Sequence, residues 1–405
     1  MHILIIPSWY PQSPTDVNGI FFRLQAQALQ RAGHKVGVIA GHFRSLRQGI
    51  VPVLSGRYGI EHFTEQNVPT YIYHHTAFFP RLPPEQRAWL KAGRKLFERY
   101  TAEHGMPDIL HAHCINQGGI MAADISRRHG IPYIVTEHSS TYARGMIRSW
   151  QRPSMYQAAQ GASARLAVSR HFAQLLEREY PGLDWAYLPN LLAPHFEQEP
   201  PAPRPADNAD GFTFCTVAHL NPNKGFDILL QAFATAKQQR PALKLDIGGG
   251  GAMLGRLQNL SAQLGLQDSV RFLGAMSHQE VLTLMRQSHA FVSSSHIETF
   301  GVVLIEALSQ GLPVVATRSG GPESIVRPDN GILAECGNPE SLARAMIALY
   351  DRRSRYPADL LRRQTLAEFG EAAVIGRLQT ILQTASGKSQ PVAEYAESTQ
   401  TREKP

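Results

Sequence analysis

The chain reads as an α/β protein built from two parallel-sheet domains, and three observations predict it. Short apolar segments alternate with amphipathic ones along most of the 405 residues, the pattern of strands joined by crossover helices. That length exceeds what one ordinary core holds, so two domains are expected. The alternation also stops at a proline-rich polar stretch, Glu197-Gln-Glu-Pro-Pro-Ala-Pro-Arg-Pro-Ala-Asp-Asn-Ala-Asp210, and then restarts.

The first unit is strand Ile3–Ile6, a long loop, helix Ile20–Ala32, the turn Gly33-His-Lys35 and strand Val36–Ala40. Strands follow near Ile109–His113 and Tyr133–Glu137, and around Leu166–Ser169 a strand meets a helix starting near Arg170. Leu188-Pro-Asn190 closes this half. The second half begins with strand Phe212–Val217, helix Phe226–Gln239 and strand Leu243–Ile247, followed by a glycine run. Helix Met253–Leu264, strand Val270–Phe272, helix His278–Arg286 and strand Ala290–Val292 come next. An apolar helix after Glu298 and strand Pro313–Ala316 complete the pattern. The predicted division is residues 1–196, a linker over 197–210, residues 211–355, further helices over 356–384, and a polar, aperiodic tail over 385–405 read as disordered.

Composition narrows the class. Hydrophobic residues make up 43% and charged residues 18%, as in soluble globular proteins. No apolar run approaches the ~20 residues that span a bilayer. The apolar start of Met1-His-Ile-Leu-Ile-Ile-Pro-Ser-Trp-Tyr10 lacks a basic flank and stops at Pro7, so it is a first strand rather than a signal peptide. Cys114, Cys215 and Cys336 are far apart and odd in number, which suits reduced thiols in the cytoplasm. The net charge of +7 raises the question of an anionic partner. The basic residues show no helix-turn-helix, zinc-module or aromatic-sheet organisation, so nucleic acid is not expected. Between Arg81 and Arg99, however, Arg87, Lys91, Arg94, Lys95 and Arg99 surround Trp89, Leu90, Leu96 and Phe97. This reads as a basic amphipathic helix able to rest on anionic lipid headgroups at the inner membrane face, or as a solvated helix whose apolar side faces the domain core; the two readings are compatible.

The chemistry concentrates in Glu298-Thr-Phe-Gly-Val-Val-Leu-Ile-Glu306. Val302, Val303, Leu304, Ile305, Ala307 and Leu308 predict a helix buried almost all round, and Glu306 inside it is costly without a partner. Glu298 precedes the helix on the loop with Gly301. A short polar loop entering a buried helix presents amide N–H groups and a positive dipole end, which suit a phosphate. Read blandly, the two glutamates are a helix cap and a buried ion-pair partner.

This segment, with Gly311-Leu-Pro-Val-Val-Ala316, Ser319-Gly-Gly-Pro-Glu323 and Leu220-Asn-Pro-Asn-Lys-Gly225, resembles the E-x7-E region of retaining glycosyltransferases of family 4. The resemblance covers roughly residues 1–350. It implies the GT-B fold, two Rossmann-like domains facing each other across a cleft, with acceptor bound mainly by the first and a nucleotide-sugar donor mainly by the second. The residues implied for the donor are Gly19, His219, Lys224, Gly274, Glu298, Thr299, Phe300, Gly301 and Glu306. Glu298, His138 and Lys224 are the implied catalytic set. In GT-B proteins a C-terminal helix crosses back to the first domain, a role open to residues 356–384.

Several positions depart from the pattern or stay open. Where the family has an Arg five residues before the Lys, this chain has His219, which lacks a guanidinium's fixed charge and fork. Weaker diphosphate binding or another cation is then expected, and Arg318 is one substitute. Asn18 stands where the family often has Gly. Asp246-Ile-Gly-Gly-Gly-Gly251 gives no dinucleotide fingerprint; its glycines either let the loop approach the donor closely or simply turn the chain. His138, at a strand end, is either structural or a hydrogen-bonding group near the transferred sugar. His111 and His113, flanking Ala112, are expected on opposite faces of their strand and make a poor metal pair. There is also no Asp-x-Asp, so neither metal nor cofactor is expected, the nucleotide-sugar being a substrate. The expected activity is hexosyl transfer from a GDP- or UDP-sugar to a lipid-linked saccharide in surface-polysaccharide assembly. Rival readings are a GT-B epimerase or phosphorylase and a non-catalytic nucleotide-sugar-binding protein.

Overall fold

The computed structural model describes residues 1–13, 16, 19–45, 56–77, 82–203 and 211–388. Asn18, Arg81, residues 204–210 of the proline-rich linker and the tail beyond 388 lie outside the described residues. The first sheet contains β1 (His2–Pro7), β2 (Lys35–Ser45), β3 (Gly59–Glu65), β4 (Val68–Ala77), β5 (Ile109–His113), β6 (Tyr133–Glu137), β7 (Ala164–Ala167) and β8 (Ala186–Tyr187). Their spatial order is β3-β4-β2-β1-β5-β6-β7-β8, parallel throughout except for the β3–β4 hairpin. Around it lie α1 (Ile20–Arg31), α2 (Pro83–His104), α3 (Ile120–His129), α4 (Arg152–Gln160), α5 (Arg170–Glu179) and the short α6 (Pro194–Gln198).

The second sheet runs β11-β10-β9-β12-β13-β14, all parallel. Its strands are β9 (Phe212–Val217), β10 (Leu243–Gly248), β11 (Val270–Gly274), β12 (Ala290–Ser293), β13 (Val314–Thr317) and β14 (Gly331–Ala334). The helices are α7 (Phe226–Gln239), α8 (Leu254–Gln263), α9 (His278–Arg286), α10 (Val302–Ser309), α11 (Pro339–Asp351), α12 (Ala358–Phe369) and α13 (Glu371–Ala385).

The central strands are apolar because helices cover both faces: every residue of β1, β5 and β6 is buried. Local signals start the helices where the sequence places them. Ser169 caps α5 by accepting from Phe172 N at 3.1 Å, and Ser277 with Glu280 closes a capping box on α9. The β3–β4 hairpin was not legible in the sequence. Gln66 and Asn67 turn it with φ of 47° and 62°, and β3 carries almost no buried residues to mark it.

Helix α2 turns its apolar side to the core. Trp89, Leu96, Phe97 and Tyr100 are buried in the first-domain core. Glycines on β2 make room for them: a Cβ at Gly37 would stand 2.2 Å from Tyr100, and one at Gly41 would stand 2.4 Å from Trp89. The apolar side is thus spent on the core, and Arg87, Lys91, Lys95 and Arg99 remain exposed. No described helix is long and apolar enough to cross a membrane. The three cysteines are free thiols.

The chain crosses between domains twice, at adjacent places. Outbound, α6 carries Phe196, whose carbonyl accepts from Gln310 Nε2 at 3.0 Å and Arg362 at 3.2 Å, both on the second-domain side. Returning, Glu371 N donates to Glu197 Oε2 at 2.9 Å. Arg31 on α1 holds the Glu371 carboxylate through two bonds of 2.9 and 2.6 Å. Helix α13 then buries Val374, Ile375, Leu378 and Leu382 in one cluster with Ile3, Ile5, Val36, Val38, Ile109 and Ile134. A Leu378→Ala change should therefore destabilise the first domain by roughly 2–5 kcal/mol, the usual cost of a core truncation. Urea unfolding followed at first-domain amides checks this.

Candidate active site

The carboxyl ends of parallel strands are where an open α/β sheet leaves loops free to bind, and here both sheets aim those ends at one cleft. Its volume is about 1000 Å³. From the first domain come Trp9, Gly19, Phe21, His138, Ser139, Ser140 and Arg144. Asn221, Pro222, Asn223, Lys224, His296, Ile297, Glu298 and Thr299 line it from the second.

Lys224 is positioned by a tight turn after β9. The Asn221 side chain accepts from Asn223 N at 3.0 Å, and Asn223 Nδ2 donates to Ile297 O at 2.8 Å. Ser294 Oγ donates to Lys224 O at 2.8 Å, and His296 N donates to Asn223 O at 2.8 Å. Gly225 follows at φ 60°, and a Cβ there would meet Ser294 O at 2.3 Å, so the position requires glycine. This latch between the β9 and β12 loops brings Lys224 Nζ to 2.7 Å from Glu298 Oε2. Glu298 is itself fixed by its backbone: its N donates to Ser319 O at 2.9 Å and its O accepts from Gly321 N at 2.6 Å. The two most prominent charges of the motif thus neutralise each other in the ligand-free protein.

Helix α10 starts at Gly301 (φ 104°) and is buried as its apolar run predicts. Phe300 and Gly301 do not line the cleft. The Phe300 ring is buried with its centroid 5.9 Å from that of Phe369, and a Cβ on Gly321 would stand 2.4 Å from its amide nitrogen. Glu306 is 9% exposed, and its carboxyl has no hydrogen-bond partner among the described residues. Burial alone pushes its pKa up from 4.5 to about 7. No described residue satisfies the carboxyl, and Glu306 itself lies outside the cleft lining.

His138 lines the cleft but is boxed in. Its Nε2 lies 3.0 Å from His113 Nδ1, Phe21 stacks on it at 4.9 Å, and Phe22 packs edge-on at 5.1 Å. Burial lowers its pKa to about 3, so the ring is neutral at pH 7 and acts as a positioned hydrogen-bonding group, not as a cation. The expectation for the neighbouring pair is corrected: the His111 and His113 rings stand 4.2 Å apart on one face of β5. Side chains two residues apart on a strand share a face. Burial keeps both neutral as well, and no group of three metal-binding side chains converges among the described residues.

His219 is exposed and lies outside the cleft lining, as do Gly274 and Arg318. Gly274, at φ 76°, accepts from Gly249 N at 2.7 Å. The glycine run serves close backbone packing within the second domain. A Cβ on Gly249 would stand 1.9 Å from Ala218 O, and one on Gly251 2.4 Å from Leu220 O.

Two residues escaped the sequence reasoning. Glu137, fully buried, accepts from Ile115 N at 2.8 Å and from the N–H groups of His138 and Ser139 at 2.9 Å each. It anchors the loop carrying His138; only its strand-end position hinted at this. Arg144 lies further along the same loop and enters the cleft; no motif marks it.

Comparison with known proteins agrees with the fold. Residues 20–190 match the family described as Glycosyltransferase Family 4, and residues 201–366 match Glycosyl transferases group 1. The chain is 32% identical to one component of the phosphatidylinositol N-acetylglucosaminyltransferase of Arabidopsis thaliana over 36% of this chain, and that match spans only 32% of the plant protein. It is 26% identical to the putative teichuronic acid biosynthesis glycosyltransferase TuaC of Bacillus subtilis, over 85% of this chain and 88% of that one. Among solved structures, sucrose-phosphate synthase from Thermosynechococcus elongatus superposes with a TM-score of 0.75 at 20% identity, covering 96% of this chain and 100% of that one. HepE of Anabaena, solved with UDP and glucose, superposes with a TM-score of 0.70 at 17% identity, covering 95% and 100%. With its paired parallel sheets and these matches, the chain belongs to the family 4, group 1 glycosyltransferases of GT-B architecture.

Proposed function

We propose that the protein transfers a hexose, with retention, from a nucleotide-diphospho-sugar to a saccharide acceptor, lipid-linked and assembled into a cell-surface polysaccharide on the cytoplasmic face. The observation that carries this is the cleft itself, where Lys224 and Glu298 of one domain face His138 of the other across about 1000 Å³. Donor binding exchanges the Lys224–Glu298 pair: the ammonium turns to the diphosphate, and the carboxylate accepts from hydroxyls of the donor sugar. Lys224 then stabilises the charge that grows on the leaving diphosphate, so this reading assigns no step to a metal. Glu306 accepts from the ribose hydroxyls. This reading assigns no enzyme nucleophile: the acceptor hydroxyl attacks from the face the diphosphate leaves, giving its proton to the departing phosphate. The exposed basic edge of α2 lets the first domain rest against anionic headgroups.

The test is calorimetric titration with UDP, GDP, ADP and dTDP. One nucleotide binding well ahead of the rest supports the reading; no binding by any would sink it. The same titration carries a pH prediction. The free Glu306 carboxyl has its pKa near 7, and hydrogen bonds from ribose favour the carboxylate, so binding releases a proton. Affinity should fall about five- to tenfold from pH 7 to pH 6 and level off above pH 8. A Glu306→Gln variant should lose this slope. For the ligand-free fold the sign is opposite. Its carboxyl holds a proton that the unfolded chain gives up near 4.5, so this group's contribution to stability declines as pH rises from there through about 7.

A further inference from the structure

Apart from the Lys224–Glu298 pair, the cleft lining holds one further fixed charge, Arg144. Glu298 is the sole carboxylate of that lining and is taken up by Lys224 at 2.7 Å. Arg144 therefore faces the cleft with no acidic partner among the described residues. Its placement is built rather than incidental. The buried Glu137 carboxylate ties down the start of the loop through Ile115, His138 and Ser139. Tyr142 also donates to that carboxylate at 3.3 Å, and its hydroxyl lies 2.7 Å from that of Tyr180. Arg144 N donates to Ser140 O at 3.0 Å, Met146 N donates to Thr141 O at 2.8 Å, and Gly145 closes the turn at φ 62°. The backbone under Arg144 is thus already ordered, and binding has only the side chain left to order.

We infer that Arg144 is the recognition element for a negatively charged group on the acceptor, a phosphate or a sugar carboxylate. The inference rests on the glycosyltransferase reading and adds the acceptor's chemical class to it. Lys224, Glu298 and Glu306, assigned there to the donor, all belong to the second domain, whereas Arg144 belongs to the opposite wall. That wall offers the rings of Trp9 and Phe21, the hydroxyls of Ser139 and Ser140 and this one cation. Aromatic faces and hydroxyls suit a saccharide ring, and a guanidinium fork matches phosphate or carboxylate through two parallel hydrogen bonds. A neutral saccharide can accept from single N–H groups of the fork but leaves its charge unmatched.

The test uses the full chain saturated with whichever nucleotide binds, with methyl phosphate and glucuronate as separate probes. Wild type should bind one of them, the preferred probe telling a phosphate-bearing acceptor from a uronate. Arg144→Gln should weaken that binding at least tenfold, and Arg144→Lys should weaken it less. Nucleotide affinity should change less than twofold in either variant. Arg144 is exposed, so both variants should unfold at the wild-type temperature. A tenfold loss of nucleotide affinity in Arg144→Gln would overturn the inference by assigning the guanidinium to the donor diphosphate. Equal probe binding by wild type and Arg144→Gln, including none, would overturn it too. Wild type that binds no nucleotide would remove the glycosyltransferase reading itself, and this inference with it.

Discussion

Lys224→Ala is expected to lower kcat by about 10²–10³-fold, the usual loss when one preorganised donor is removed from a developing oxyanion. Two effects act together. The diphosphate loses its cation as charge builds on it, and Glu298 loses the partner that holds it at 2.7 Å. The freed carboxylate then faces an anionic leaving group, so the donor KM should rise as well. The turn is held by Asn221, Asn223, Ser294 and Gly225 and not by the ammonium, so the fold should be unchanged. Steady-state kinetics with the cognate donor, alongside circular dichroism, decide the matter. A kcat within twofold of wild type would place the diphosphate elsewhere.

Gly249→Ala is expected to be the most damaging single methyl in the second domain. Its Cβ would lie 1.9 Å from Ala218 O, at a φ of 132° that L residues rarely adopt. The neighbour is backbone at the end of β9, tied by Ala218 N donating to Gly248 O at 3.1 Å, so it cannot swing aside as a flexible side chain would. Overpacking costs about 1–3 kcal/mol and the unfavourable backbone another 1–3 kcal/mol. The two together should shift the second domain's urea midpoint clearly downward. Because the β9 loop leads on to Lys224, nucleotide binding should weaken in the same variant. Gly255→Ala, with nothing within 4 Å of its Cβ, is the control and should leave both unchanged.

The strands and helices with strong periodicity were legible to within a residue or two. β5, β6, α7 and α9 have the bounds their apolar spacing indicated. The β3–β4 hairpin was not, because an edge strand with almost no buried side chains leaves no alternation to read. Nor was the kinked segment after β5, where Cys114 and Gln117 take φ of 63° and 68°; tertiary contacts hold it, and local propensity does not announce it. Within the site, Lys224 and Glu298 could be found because turn and motif residues surround them in sequence. Glu137 and Arg144 could not: no motif residue flanks either, and Glu137 shows its role only once the chain folds Ile115 N and the His138 and Ser139 amides onto its carboxylate. The glycine run was ambiguous for a related reason: a glycine records that something approaches closely, not whether it is ligand or backbone.

The two adjacent crossings between domains have a mechanical consequence. Bodies joined by one tether can tumble in three rotations, which would leave cleft closure to chance. Here the strap at Phe196–Glu197 and the strap at Glu371 are stitched together by the Glu371 N–Glu197 Oε2 bond. Two fastenings side by side behave like the knuckles of a door: swinging about the line through them is cheap, and twisting or sliding strains both. The adjacent fastenings thus favour one axis for any closure that would carry His138 and Arg144 towards Lys224 and Glu298.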